Sequence, residues 1–273
     1  MKKLLVIAVA ALAAAGSANA QFAKTLKEHD VFNHLGLSLG VGTTGITIEA
    51  GTTITPWVQL RAGVDIMPKF KLNSSLDLEA YGIEVSEAYR GPEIREIDVE
   101  GKLTNTTGHV IFDIFPFTGK SSFHVSVGAY FGPSSLISVY NTSQEGLLQD
   151  VWAYNNRQGQ WADVPASAGQ VGAVLGDYAI RPDRSGHAGA SIRVNNFRPY
   201  LGIGFGRIVP KSRINCLFDL GVQFWGKPEV WNDTENYRIT EEGAKGEDGG
   251  LIKTISKISV YPVLSVKLVG KIF

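Results

Sequence analysis

The sequence predicts an all-β chain: a closed antiparallel up-and-down transmembrane β-barrel of about eight strands. Three observations lead there. Apolar and polar residues alternate with period two over eight segments, the pattern of a strand with two unlike faces. No stretch reaches 18 uninterrupted apolar residues, so the chain has no transmembrane helix, and a membrane-spanning structure must then be a closed barrel. Gly accounts for 31 of 273 residues, about 11% against a typical ~7%. A helix bundle rarely tolerates that, because each Gly costs ~1 kcal/mol relative to Ala inside a helix.

The first twenty residues read as an address. Lys2 and Lys3 form a positive start, Leu4 to Ala15 an apolar run, and Ala18-Asn19-Ala20 a small-residue cleavage site. This is the pattern of a Sec signal peptide cut after Ala20, and the apolar run of about twelve residues is too short to span a bilayer. Without Lys2 and Lys3 the mature chain carries 24 basic against 26 acidic residues, so no basic face for nucleic acid shows in the totals. A single Cys, Cys216, excludes an internal disulfide and any CxxC-type zinc site. Residues 21–33 form a short amphipathic lead-in, and the barrel is expected over 34–273.

Taken in order, the strands justify themselves by their alternation. Leu35, Leu37, Leu39 and Val41 oppose Gly36, Ser38, Gly40 and Gly42, and Thr43-Thr44-Gly45 makes a tight turn. Ile46, Ile48, Ala50 and Ile54 then oppose Thr47, Glu49, Gly51 and Thr53 until Thr55-Pro56 breaks the ladder. Val58 to Ile66 is the third strand, with Arg61 and Asp65 on its polar phase. A polar stretch, Pro68 to Arg95, reads as a long loop. The fourth strand covers Ile97 to Phe115, with His109 and Asp113 opposite Val110, Phe112 and Ile114. The fifth, Ser121 to Gly132, carries His124 on its polar phase. Pro133 to His187 reads as a second long loop, and hairpins within the region up to Asn196 would raise the strand count to ten or twelve. The sixth strand, Ser191 to Ile208, is interrupted near Asn195-Asn196 and Pro199. The seventh, Ile214 to Phe224, contains Asp219, and Gly226 to Gly250 is a third long loop. The eighth, Ile258 to Phe273, carries Lys267 and Lys271 on its polar phase.

Short turns follow strands two, four and six, while the three long connections all leave the opposite end. Outer-membrane barrels have this asymmetry, with short periplasmic turns and long extracellular loops. Alternation alone leaves open which phase faces inward. The Gly-rich phase also carries ions of both signs, which suits the interior of a narrow barrel and leaves the aliphatic phase to lipid. The expected lumen charge network is Glu49, Arg61, Asp65, His109, Asp113, His124, Asp219, Lys267 and Lys271. Aromatics near strand ends, Trp57, Phe115, Phe131, Trp225 and Tyr261, are expected in interface girdles.

The segments LGLSLGVGTTGITIEAGTTIT, IFDIFPF, RPYLGIGFGR, FDLGVQFWGKPEV and YPVLSVKLVGKIF resemble parts of small porin-like outer-membrane β-barrel proteins of Gram-negative bacteria. The resemblance covers most strands and little of the loops. It implies residence in the outer membrane, contact with its lipids, and delivery by the barrel-assembly machinery. It also gives Phe273 the role of a C-terminal assembly signal.

Chemistry is less legible. The lumen ions read either as a structural salt-bridge network or as a narrow polar passage for small polar solutes lined by Arg61, Asp65, Asp113 and Lys267. His109 and His124 have no third ligand at suitable spacing, so no metal site or cofactor is expected. Asp183-Arg184-Ser185-Gly186-His187 contains the residue types of a hydrolytic triad but no nucleophile elbow. Trp152, Tyr154, Trp161 and Trp231 are loop aromatics suited either to recognition or to packing. The expected function is therefore limited solute passage or envelope support. The alternative is surface recognition through the loops, and a membrane-embedded hydrolase stands last.

Overall fold

The structure, a computed structural model, describes residues 32, 34–81, 91–92, 95–103, 105–117, 121–142, 145–175, 178–240, 242–243 and 246–272. The segments expected as a signal peptide and as a lead-in (residues 21–33, apart from Phe32), together with Phe273, lie outside the described residues. The chain starts with β1 (Leu35–Gly42), β2 (Gly45–Thr55) and β3 (Val58–Ile66). The first long connection forms β4 (Phe70–Asp77), β5 (Glu79–Tyr81) and β6 (Glu96–Leu103), which leads into β7 (Thr106–Ile114) and β8 (Phe123–Phe131). The second carries β9 (Ser135–Asn141), helix α1 (Glu145–Asn155), β10 (Gln170–Leu175), β11 (Tyr178–Ile180) and β12 (Gly189–Arg193). Strands β13 (Phe197–Phe205) and β14 (Ile214–Phe224) follow. The third connection adds β15 (Glu229–Asn232), β16 (Tyr237–Ile239) and helix α2 (Gly246–Lys257), and β17 (Val260–Lys271) ends the chain's strands.

Eight strands close a barrel in the order β1-β17-β14-β13-β8-β7-β3-β2, every pair antiparallel. Closure removes the free edges that an isolated sheet would leave in hydrocarbon. The alternation decides the faces. Leu39, Val41, Ile48, Val127, Phe205, Leu220 and Leu268 belong to the outward phase and are exposed, whereas Glu49, Arg61, Asp113 and Asp219 on the inward phase are buried. An aliphatic belt outside and ions inside is the arrangement of a membrane barrel, the reverse of a water-soluble one. Among the described residues no helix is long and apolar enough to cross a membrane.

The segments expected as loops are largely folded. A six-stranded sheet, β16-β15-β12-β9-β6-β4, stands at the end of the barrel away from the short turns. Its order repeats that of the wall below it: β4 continues β3, β6 leads into β7, β9 continues β8, β12 leads into β13, and β15 continues β14. Five of eight wall strands thus extend into an extracellular sheet, each after a short break. The expected long fourth and sixth strands each divide at such a break, near residues 104–105 and 194–196. Hairpins do form between Pro133 and Asn196, but they join the extracellular sheets, so the barrel keeps eight strands.

Apolar burial holds this domain. Leu148, Val151 and Tyr154 of α1 pack on Ile97, Val99 and Val171, and Ile252 of α2 packs on Ile180 and Ile239. Each fully buried aliphatic of this size contributes about 1.5–3 kcal/mol. The opposite face of the sheet is polar. Lys71 pairs with Glu100 at 2.8 Å, Arg193 with Asp233 at 2.6 Å, and Arg238 with Glu229 at 2.7 Å. Hydrogen bonds from Lys71 and Tyr140 hold the Glu100 carboxyl below the usual carboxylate range, and Arg238 does the same for Glu229.

One buried side chain stitches the two tiers together. Arg198 is fully buried, and its guanidinium donates to Asn105 Oδ1 (3.0 Å), the Pro133 carbonyl (2.6 Å) and the Asn195 carbonyl (2.9 Å). Those three acceptors lie in three of the breaks, between β6 and β7, β8 and β9, and β12 and β13. Its carbonyl partners satisfy it without a carboxylate. Replacing Arg198 by Leu leaves those acceptors unpaired, at about 1–3 kcal/mol each. We expect Arg198→Leu to raise protease cleavage within residues 133–196 at least about tenfold, while the barrel still migrates as a folded band in unboiled gels.

Candidate functional site

The lumen is the candidate site, and it is filled in three storeys. The middle storey is ionic, with Arg61 of β3 at its hub. Its Nε lies 2.9 Å from Asp113, Nη1 2.6 Å from Asp219, and Nη1 3.5 Å from Glu49. Lys267 of β17 bridges Glu49 (3.0 Å) and Asp219 (3.1 Å). His109 joins Asp65 (2.6 Å) to Glu49 (3.0 Å), and His124 lies 3.2 Å from Asp219. Hydroxyls complete the set: Thr44 and Thr47 donate to Asp65, Ser38 to Glu49 and Ser126 to Asp113.

The wall makes room for these groups with glycine. A Cβ on Gly204 would stand 2.4 Å from His124 Nε2, and one on Gly63 2.5 Å from the Glu49 Cβ. Eight of the nine expected lumen ions meet in this storey. Lys271 stands apart, half-buried at the end of β17, with no ion pair among the described residues.

The storey at the short-turn end is apolar. The connection between β13 and β14 turns into the lumen rather than away from it, burying Ile208 and Val209 against Leu217 and Val269. Gln59 holds it in place, its Oε1 accepting from the backbone N–H of Ile208 (3.1 Å) and Val209 (3.4 Å), and its Nε2 donating to the Val209 carbonyl (3.4 Å). Gly36 and Gly51 supply the seat: a Cβ at Gly36 would lie 1.7 Å from the Ile208 carbonyl oxygen, and one at Gly51 2.6 Å from Ile208 Cγ1. Arg207 then lies 3.9 Å over the Phe115 ring. This plug was not foreseen from the sequence. Its signal is two adjacent aliphatics, Ile208-Val209, at a turn expected to meet water.

At the extracellular end Tyr130, Tyr200, Ile111 and Val263 pack together, with the two tyrosine rings edge to face at 5.4 Å. Trp225 and Tyr261 continue the cover, with Leu136 and Val194. Here the girdle expectation needs correction. Trp57 and Phe131 are exposed, but Phe115 is fully buried and Trp225 almost so, and Tyr261 is half-buried beside Trp225. The reason is parity. Phe112 and Ile114 face lipid, so Phe115 must face in; Phe224 and Val260 face lipid, so Trp225 and Tyr261 follow.

Other sequence candidates are placed as follows. Among the described residues no group of three His, Cys, Asp or Glu could hold a metal ion. Asp183 accepts from the backbone N–H of Ser185 and His187, forming a turn that leaves His187 exposed with its Nδ1 3.9 Å from the carboxylate. Among the described residues no Ser hydroxyl is hydrogen-bonded to the His187 ring. Tyr154 and Trp161 pack edge to face at 5.5 Å, while Trp152 and Trp231 lie under Arg184 and Arg193.

Two outcomes test the lumen. Removing Arg61 leaves three buried carboxylates without their shared cation, so Arg61→Leu should lower unfolding free energy in detergent by about 3–5 kcal/mol, read from urea midpoints. Gly36→Ala should lower the midpoint as well, because the added methyl displaces the plug. Gly270→Ala, whose Cβ meets nothing within 4 Å, should leave it unchanged.

No protein-family model and no curated protein matches the chain. Among solved structures, the crystal structure of Acinetobacter baumannii CarO aligns with TM-score 0.45 at 14% identity, covering 86% of this chain and 96% of that one. That of Acinetobacter baumannii CarO2 aligns with TM-score 0.44 at 16% identity, covering 88% and 98%. The closed eight-stranded wall, its aliphatic belt and its buried ions make this chain a small transmembrane β-barrel.

Proposed function

We propose that the barrel is a sealed anchor and that the working part of the molecule is the extracellular β-domain it carries, acting in surface recognition. The observation supporting this reading is the filled lumen. Arg61, Asp113, His124 and Ser126 have no solvent exposure, and both ends are covered by packed side chains. Five wall strands continue into the domain, which gives it a rigid base. The reading assigns no catalytic role and no cofactor. Membrane lipids contact the aliphatic belt, and Sec export with cleavage after Ala20 delivers the chain to the outer membrane.

A second reading, limited passage of small polar solutes, has one observation in its favour. The plug is the tip of a turn, held by a single glutamine side chain and by contact with two glycines. Passage then requires the turn to leave the lumen. Planar-bilayer recording separates the two. The mature chain is expected to be silent at all voltages and to pass no sugars or amino acids in liposome swelling. A steady open level in the unmodified protein would overturn the recognition reading. Conductance that appears only when Ile208 and Val209 are replaced by Gly would place the seal at the plug.

A further inference from the structure

All three long connections contribute to one groove on the extracellular domain. β5 brings Tyr81, the β10–β11 hairpin brings Gln170, Tyr178 and Arg181, and β16 brings Tyr237. The groove is shallow and open, with a volume of about 350 Å³, within the range of small-ligand sites. Register sets part of it: Tyr81 stands directly opposite Gln170 across the β5–β10 ladder, so the two share a face.

Its aromatic part is held rigid. The Tyr178 and Tyr237 rings stack at 5.7 Å with 26° between planes. Tyr178 is hydrogen-bonded to Thr240 Oγ1 at 2.8 Å, and Tyr237 donates to the Ala179 carbonyl at 2.9 Å. Both rings are therefore fixed while remaining half-exposed in the groove. The polar part is equally constrained. Gln170 Oε1 accepts from Tyr81 (3.0 Å) and from Arg181 Nη1 (2.8 Å), and Arg181 Nη2 is paired with Glu235. Burial pushes the Tyr81 hydroxyl above its ordinary value, with Arg181 opposing, so it stays a neutral donor. With its oxygen doubly engaged, the Gln170 amide has two N–H groups that meet no acceptor among the described residues and can serve a ligand.

We propose that this groove binds a saccharide, an inference that rests on the recognition reading above. Three features select that class. Fixed aromatic rings offer flat apolar surface to the C–H face of a pyranose. The planar Gln170 amide and the Arg181 guanidinium supply donors for neighbouring hydroxyls. The Arg181–Glu235 pair cancels its own charge, so neither an anion nor a cation is preferred. An apolar ligand would leave the Gln170 amide N–H groups unpaired.

The test uses the full mature chain in a sugar-free detergent, because glycoside detergents would compete. Calorimetric titration against neutral oligosaccharides and acetamido-sugar oligosaccharides forms one arm. The delipidated core oligosaccharide of lipopolysaccharide forms the other, and comparison of the two distinguishes free glycans from the membrane's own. Binding in either arm is expected. Tyr81→Ser and Gln170→Ala should each weaken it about tenfold or more, while Trp231→Ala, on the polar face of the large sheet, should leave it unchanged. Tyr81→Ser leaves the stacked pair intact, so it reads the groove even where Tyr237→Ala fails to fold. Absence of binding in both arms, or equal binding by the Tyr81 and Gln170 variants, would overturn the saccharide assignment. Those results leave bilayer silence untouched, so failure of the groove and failure of the sealed-anchor reading are told apart.

Discussion

Arg61 is the constraint on which the rest of the barrel depends. A guanidinium with no solvent exposure has to be surrounded by acceptors, and an eight-stranded lumen is just narrow enough for opposite walls to supply them. Its three carboxylates come from β2, β7 and β14, so one ion ties together strands that are not neighbours in the wall. Lys267 then binds β17 to the same group, His124 adds β8, and Ser38 adds β1. β13 contributes space instead, through Gly204. Four carboxylates, two permanent cations and two imidazoles share the lumen.

That constraint explains why the wall could be read from sequence. A strand facing lipid on one side and a packed ionic lumen on the other has no freedom in its period, and most inward positions are small, polar or charged. Glu49, Arg61, Asp65, His109, Asp113, His124, Asp219 and Lys267 share one phase of their strands, and the glycines on that phase mark it as the inward one. Three of the five girdle aromatics depart from the rim because phase overrides proximity to a strand end. Phe115, Trp225 and Tyr261 all fall on inward positions of their own strands.

The extracellular tier was harder to see for a different reason. β5, β11 and β16 are three residues long, too short for any periodic signal, and their partners lie far away in sequence, as with Tyr81 and Gln170. β4 does alternate, with Phe70, Leu72 and Leu76 on one phase, but Asn, Ser and charged neighbours dilute it, and the whole strand is exposed. Arg198 was unreadable because its partners are mostly backbone carbonyls, which any residue provides. The groove tyrosines carry no pattern at all until three separate connections bring them together.

β13 and β14 occupy a particular position in this layout. At one end they are continuous with β12 and β15, two members of the sheet above the membrane; at the other they are joined by the segment containing Ile208 and Val209. The same pair of strands therefore reaches from the outermost tier to the periplasmic floor of the cylinder.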